Sequence, residues 1–157
     1  MKRLFKATWG VRLFGFRKIP FIWFVRPEVL IMDENMIRIR IPFLRRNRNH
    51  LRSMYFGVLA VGADLAGGLA AMRQIQDSGR NVALIFKDMK GQFLKRAEGD
   101  TEFTCYEGER IRELVRQAVG SGERVEMPVH IDATVPSLSG DEPVARFVLT
   151  LSLKLKE

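Results

Sequence analysis

One carboxylate, Asp64, lies in the middle of a long stretch that is otherwise uncharged. Between Met54 and Met72, Asp64 is the only charged side chain. A helix this apolar is normally buried on most sides, and a buried ionised carboxylate is costly unless it is paired or takes part in chemistry. Asp64 is therefore predicted to act as a nucleophile or a general base. A structural hydrogen bond is the alternative role.

The residues before Asp64 predict a helix start that can stabilise negative charge. The first N–H groups of a helix lack intrahelical partners and carry partial positive charge, so those of Phe56 or Gly57 could polarise a carbonyl group. Gly57 also lets a substrate approach the backbone. Asp64 follows seven or eight residues later on roughly the same helical face. The Asn49 side chain could donate to the carbonyl or orient water, with a helix cap or a turn residue as its alternative role.

Residues 49–68 resemble the signature of hotdog-fold acyl-CoA thioesterases of the phenylacetate-pathway and 4-hydroxybenzoyl-CoA types, and are most similar to an uncharacterised bacterial subgroup. In that signature an amide residue precedes a His-Gly-Gly-like turn, and an acid lies two turns inside the following helix. The amide position falls on Asn49, 15 residues before Asp64. The turn falls on Tyr55, Phe56 and Gly57, so Tyr55 and Phe56 replace the usual His and first Gly.

The resemblance implies a fold, an activity and an assembly. The fold would be α+β, with an antiparallel sheet wrapped around a long central helix. The activity would be hydrolysis of an acyl-CoA-type thioester at a site shared between two subunits, in which Asp64 faces the partner's helix start. From their position, Tyr55 and Phe56 are expected to bind substrate, with a wall of the site as the alternative role for Tyr55. A homodimer or dimer of dimers is expected, without metal or redox cofactor. A weaker likeness is that of Phe93–Arg96 to the family's Phe-Leu-Arg-Pro segment, with Arg96 in place of the Pro.

Basic residues are concentrated in the first third of the chain. Residues 1–52 hold 13 Lys and Arg against three acids, whereas the remainder holds 13 against 15, so the net charge of +8 comes from the first third. One basic cluster directly precedes the predicted site helix; it contains Arg45, Arg46, Arg48 and Arg52. These guanidinium groups are predicted to bind the phosphates of coenzyme A. A solvated loop is the alternative.

The first 28 residues alternate aromatic and basic side chains. Because basic residues interrupt the apolar runs, this segment fits neither a secretory signal nor a membrane span. Pro20 and Pro27 predict a short helix followed by a connector. We interpret residues 1–28 as a helical segment that covers part of the sheet, ahead of a hotdog domain at 29–157. Weak contact with an anionic membrane surface is the functional alternative. Nucleic-acid binding is not predicted, since no reader motif accompanies the charge.

Periodicity predicts the remaining elements. Strands are expected at Glu28–Met32 and Met36–Phe43, and the site helix from about Arg52 to Gln76. Asn81–Arg96 is typical of a long strand with a bulge near Gly91. The rest of the chain predicts strands at Thr101–Tyr106, Arg124–Thr134 and Val144–Lys156, and an amphipathic helix at Glu107–Val119 that buries Ile111, Leu114 and Val115.

Other reactive residues predict little further chemistry. Cys105 is the only cysteine; an internal disulfide is therefore excluded, and a cytoplasmic, reducing location is expected. Its strand-like context predicts a buried, inert thiol. His50 has no second ligand at metal-binding spacing, and Ser53 lacks the turn of a serine nucleophile.

Two other functions stay open at the level of sequence. A non-catalytic acyl-CoA or fatty-acyl binding protein is favoured by Tyr55 and Phe56, which replace the usual His and Gly. A peripheral membrane or scaffold protein would act through the basic aromatic segment 1–28.

Overall fold

The computed structural model describes the backbone of residues 2–156 and the side chains of residues 4–156. This part of the chain forms five α-helices and six strands. The helices are α1 Lys2–Lys18, α2 Pro20–Val25, α3 Phe56–Ser78, α4 Gly108–Ser121 and α5 Pro136–Ser139. The strands are β1 Glu28–Met32, β2 Ile37–Ile41, β3 Val82–Phe93, β4 Thr101–Cys105, β5 Val125–Thr134 and β6 Pro143–Leu155.

The strands form one antiparallel sheet in the order β1-β2-β4-β5-β6-β3. The clean alternation predicted for β2 is present, since Ile37, Ile39 and Ile41 are buried while Arg38 and Arg40 face outward. Strand β3 forms one edge of the sheet and pairs only with β6 among the described residues. Unpaired backbone groups along β3 are therefore available to another strand.

Helix α3 packs on the inner face of the sheet, against β2, β4 and β5, and helix α4 packs beside it. Small residues bring the helix close to the strands: Ala63, Ala66 and Ala70 are buried. Of the described helices, only α3 is long and apolar enough to span a membrane. Its burial against the sheet accounts for that composition.

The start of α3 lies later than the sequence predicts. The helix begins at Phe56 instead of Arg52, because Arg52 adopts a left-handed backbone conformation with φ of 57° and Arg48 forms an isolated antiparallel bridge with Met54. The predicted end is correct, since Gly79 closes the helix with φ of 65°. The segment before α3 is thus a structured turn.

Two other local predictions are wrong. The segment after Pro20 is helix α2 instead of a connector, because proline is favoured in the first turn of a helix. The irregularity in β3 lies between Phe86 and Met89 and not near Gly91. At Gly91 the ring of Phe147 occupies the space of a side chain. The linker 136–143 contains the short helix α5.

Helix α1 is fixed to the sheet by polar contacts as well as by apolar packing. The backbone N–H of Val29 donates to Thr8 Oγ1 at 2.9 Å, and Arg12 Nε donates to the Pro27 carbonyl at 2.9 Å. Arg12 also pairs with Glu28 at 3.6 Å. The helix therefore packs against β1, while the division of the chain at residue 28 stays a prediction.

Candidate active site

Asn49 organises the turn that precedes α3. Its Oδ1 accepts hydrogen bonds from the backbone N–H groups of Leu51 at 2.9 Å and Ser53 at 3.1 Å, and its own N–H donates to the Ser53 carbonyl at 2.8 Å. Asn49 is thus a turn-forming residue and not a cap of α3. Its side-chain Nδ2 has no acceptor among the described residues, so a donor is left for a substrate.

Arg96 stabilises the same turn by binding it from the opposite side. The sequence did not predict this role. Its Nε donates to Ser53 Oγ at 2.8 Å, its Nη2 donates to the Leu51 carbonyl, and it pairs with Glu98 at 3.0 Å. The available signal was the replacement of the family's Pro by Arg96. The neighbouring Lys95 instead pairs with Glu142 at 2.6 Å.

Asn47 is a second residue that the sequence did not identify. Its side chain is fully buried, and Nδ2 donates to the carbonyls of Val25 at 3.1 Å and Pro42 at 2.9 Å. Its own carbonyl accepts from the N–H of Tyr55 at 2.8 Å. Asn47 therefore joins the end of α2 to the residue that immediately precedes α3.

The first turn of α3 leaves two backbone donors without a protein acceptor. Within the described chain, no group accepts from the N–H of Phe56 or Gly57, whereas Val58 and Leu59 donate to the Tyr55 carbonyl. With no acidic side chain in this turn, the partial positive charge of the helix start is uncompensated. These are the donors that the sequence predicted for a carbonyl oxygen.

Aromatic rings surround this helix start. Tyr55, Phe56 and Phe93 are exposed, with ring centroids 4.8 Å apart between Tyr55 and Phe56 and 6.5 Å apart between Phe56 and Phe93. Tyr55 Cε1 lies 2.6 Å from the position that a Cβ of Gly57 would occupy. The tyrosine ring therefore covers one side of Gly57.

Asp64 lies on the wall of an apolar cavity of about 400 Å³ between α1 and α3. No described residue donates a hydrogen bond to its carboxylate or forms an ion pair with it. Burial raises the pKa of Asp64 above its ordinary value. The apolar lining comes from Ala7, Gly10, Val11 and Phe14 of α1, Leu65, Leu69 and Met72 of α3, and Leu84 and Phe86 of β3.

Asp64 and the helix start are too far apart within one chain to act on the same atom. At a rise of about 1.5 Å per residue, the seven or eight residues that separate them span roughly 10–12 Å along the axis. The cavity also runs from Asp64 toward Gln76, away from Phe56. Within one chain, the carboxylate of Asp64 and the N–H donors at the start of α3 are thus two separate parts of the predicted site.

The predicted phosphate-binding arginines differ in their surroundings. Arg48 Nη2 donates to the Phe43 carbonyl at 2.6 Å, and its Cζ lies 4.1 Å from the centre of the Phe43 ring. Arg46 lies over Phe24 at 5.5 Å. Arg52 is exposed; its backbone N–H donates to the Asn49 carbonyl at 3.1 Å, but its guanidinium makes no hydrogen bond or ion pair with the described residues. Arg46 and Arg52 are therefore better placed than Arg48 to bind a ligand.

Of the other reactive residues, Cys105 is fully buried in β4, and burial raises the pKa of its thiol to about 11. An inert thiol follows. Among the described residues, no group of three His, Cys, Asp or Glu side chains could hold a metal ion.

A family model described as a domain of unknown function, DUF4442, matches residues 7–152. No curated protein matches the chain. Among solved structures, a protein of unknown function from Pseudomonas aeruginosa, named a probable thioesterase, is 28% identical; the match covers 95% of this chain and 96% of that one, with a TM-score of 0.76.

Two further structures are less similar in sequence but share the architecture. A thioesterase family protein from Silicibacter pomeroyi is 16% identical over 93% of this chain and 96% of that one, with a TM-score of 0.68. Thioesterase superfamily member 2 from zebra fish is 15% identical over 95% of this chain and 96% of that one, with a TM-score of 0.66. These matches confirm the predicted hotdog fold and the resemblance to thioesterase-family proteins.

Proposed function

Because the chain belongs to the DUF4442 family and has the hotdog fold of thioesterase-family proteins, we propose that it hydrolyses an acyl-CoA-type thioester. The observation that carries this proposal is Asp64, a carboxylate without a described partner on the wall of an apolar cavity. A polar group held in such surroundings at a cost in stability is typical of catalytic residues.

The chemistry assigned to Asp64 is general base catalysis. Its carboxylate accepts a proton from water as the water oxygen bonds to the carbonyl carbon; the C–S bond then breaks, and the coenzyme A sulfur leaves and takes up a proton. A raised pKa makes Asp64 a stronger base near neutral pH. Nucleophilic attack by the carboxylate, which gives an acyl anhydride that water cleaves, is the alternative route. The N–H groups of Phe56 and Gly57 would stabilise the oxyanion.

The distance between Asp64 and the helix start supports a site shared by two subunits. One carbonyl can meet both halves only if Asp64 of one chain faces the start of α3 in its partner. The free edge of β3 supplies a surface for such a dimer, since Ile85, Met89 and Phe93 are exposed along it. Long apolar edge strands usually pair with another chain.

The cavity supports an aliphatic acyl group as the substrate's apolar part. One water molecule takes up about 30 Å³ of the liquid. If each carbon of an acyl chain takes up a similar volume, a cavity of about 400 Å³ has room for about a dozen carbon atoms. Its lining is apolar apart from Asp64 and Gln76. A straight chain of medium length therefore fits better than a charged or short acyl group.

The first experiment measures release of coenzyme A from short, aromatic, medium and long acyl-CoAs by wild type, Asp64→Asn and Asp77→Asn. Asp77 lies at the exposed end of the same helix, paired with Arg73 at 2.9 Å, so Asp77→Asn is the matched control. Turnover should fall at least a hundredfold in Asp64→Asn only. Equal rates in all three proteins would overturn the proposal.

The shared site has its own test. Phe56→Pro removes one N–H donor, yet proline is tolerated in the first turn of a helix; Phe56→Ala controls for loss of the ring. Co-expression of Phe56→Pro with Asp64→Asn should restore about a quarter of wild-type activity, because half the dimers would be mixed and each would hold one intact site. No recovery would place the whole site within one chain.

The phosphate contacts are tested with substrates that lack phosphates. Arg46→Ala and Arg52→Ala should raise KM for an acyl-CoA severalfold but leave KM unchanged for the matching acyl-N-acetylcysteamine thioester. Arg48→Ala, which loses its bond to the Phe43 carbonyl, should lower stability instead. An equal effect on both substrates would argue against phosphate binding.

The position of the Tyr55 ring favours one second candidate, a non-catalytic acyl-CoA binding protein. The ring covers one side of Gly57, where thioesterases of the resembling type have less bulk. Saturable binding of acyl-CoA without turnover, measured by calorimetry, would support this candidate over hydrolysis. Either function is proposed for the cytoplasm, where acyl-CoA is available.

A further inference from the structure

The outer face of α1 carries a stripe of exposed apolar side chains. Phe5 is 66% exposed, Trp9 46% and Phe16 62%. Together with exposed Leu13 they follow one another at intervals of three and four residues, so they share a single face of the helix. Phe5 and Trp9 pack edge to face with centroids 6.2 Å apart. At the other end Phe16 packs on Trp23 of α2 at 5.6 Å.

This stripe is surrounded by positive charge. Residues 1–26 contain seven Lys and Arg and no acid. Lys6 and Arg17 are exposed next to the stripe on α1. The first acid along the chain, Glu28, is engaged with Arg12 and with Arg40, whose Nη2 lies 2.5 Å from its carboxylate. Within the described part of the chain, no acid pairs with Lys6 or Arg17, so the charge next to the stripe is uncompensated there.

The stripe is held in place by the fold. Thr8 and Arg12 bind the backbone of Val29 and Pro27 along one edge of the stripe, and Val11 and Gly15 are buried beside them. The outward face is thus preformed, and its binding to a partner requires little ordering of the chain.

From this arrangement we propose that the outer face of α1 docks on an anionic lipid bilayer. Tryptophan and phenylalanine flanked by lysine and arginine are the composition of helices that lie in the membrane interface. Basic side chains are attracted to an anionic surface, and the aromatic rings enter the headgroup region. The proposed partner is therefore a surface that is both negatively charged and able to take up apolar side chains.

Two other occupants suit this face less well. A symmetric contact with a second copy would place the same basic patch against itself, since a two-fold interface is self-complementary, and like charges would repel. A nucleic acid would use the charge but leave Phe5, Leu13 and Phe16 without apolar partners. Neither partner would bind both the exposed apolar side chains of the stripe and the positive charge beside it.

The proposal is tested by flotation with vesicles of phosphatidylcholine, with and without phosphatidylglycerol, at low and high salt. Wild type should bind only vesicles that contain phosphatidylglycerol, and Trp fluorescence should shift to shorter wavelength. The variants are Phe5→Ser/Phe16→Ser and Lys6→Glu/Arg17→Glu. Each should weaken binding at least tenfold, while Leu138→Ser and Lys154→Glu, exposed elsewhere, should not.

Thermal unfolding of each variant checks that the fold is retained. Absence of wild-type binding to anionic vesicles would overturn the proposal. So would binding that the charge variant loses but the aromatic variant keeps, because that result describes a surface that binds any polyanion. Thioester hydrolysis of soluble substrates should be unchanged in these variants, which separates the failure of this proposal from that of the proposed function.

Discussion

The ring of Phe103 packs directly against the backbone of Gly62, two residues before Asp64, and leaves no room for a side chain there. Phe103 is fully buried in β4, so this contact fixes how closely α3 approaches the sheet. Because Asp64 lies half a turn farther along the helix, its position relative to the cavity depends on the same contact.

Gly62→Ala should destabilise the protein by about 1–2 kcal/mol, since overpacking costs about 1–3 kcal/mol and the gain in helix propensity returns up to about 1 kcal/mol. Urea unfolding measures the difference. Gly68→Ala is the matched control on the same helix, where a Cβ would meet Phe86 at an ordinary 3.8 Å; it should be neutral or stabilising. Equal effects at both positions would contradict the close approach of Phe103.

Asp64→Asn should become more stable than wild type as the pH rises. The folded state raises the pKa of Asp64, so it holds the proton more tightly than the unfolded chain, in which the pKa is about 3.9. Wild type therefore loses stability as the pH rises from that value through the raised pKa, whereas asparagine does not titrate. Urea unfolding of both proteins from pH 4 to pH 8 should show a growing difference; a difference that is constant or shrinks would refute the burial argument.

Gly10→Leu should shift the substrate preference toward shorter acyl chains. Gly10 lines the cavity, and nothing lies within 4 Å of the position of its Cβ, so a leucine there reduces the space that the proposed function assigns to the acyl chain. We expect kcat/KM for the longest accepted acyl-CoA to fall about tenfold or more while that for short ones changes little. Gly120→Leu, at an open and exposed glycine of α4, should leave the preference as in wild type.

Arg96→Ala should loosen the turn before α3. The variant loses bonds to Ser53 and Leu51, which costs about 1–2 kcal/mol. Hydrogen exchange at the amides of Leu51 and Ser53 should become faster. Lys95→Ala removes only the exposed ion pair with Glu142 and should leave the exchange rates of these amides unchanged. If the exchange rates are also unchanged in Arg96→Ala, Arg96 does not stabilise the turn.

Cys105 should resist alkylation in the folded protein at pH 8. Its side chain is fully buried and burial raises its pKa to about 11, so little thiolate is present and reagents cannot reach it. Titration with a thiol reagent should report almost no reaction in buffer and one thiol per chain in guanidinium chloride. Rapid reaction of the native protein would show that β4 opens readily.

Much of the fold was predictable because its signals are local. Alternation in Ile37–Ile41 identified β2, and the helical spacing of Ile111, Leu114 and Val115 identified α4. The start of α3 was not predictable from propensity, since it depends on the bridge between Arg48 and Met54. Contacts across distant parts of the chain, such as Arg96 to Ser53, leave no periodic trace in the sequence.

By itself, the sequence determined that one carboxylate lies in an apolar helix and that a glycine-containing helix start precedes it. Those statements need only residue types and spacing. Only the tertiary structure decided that α1 and α3 enclose the cavity at Asp64 and that Tyr55 covers Gly57. The reason is physical: burial, cavity volume and unpaired donors arise from packing between segments far apart in the chain.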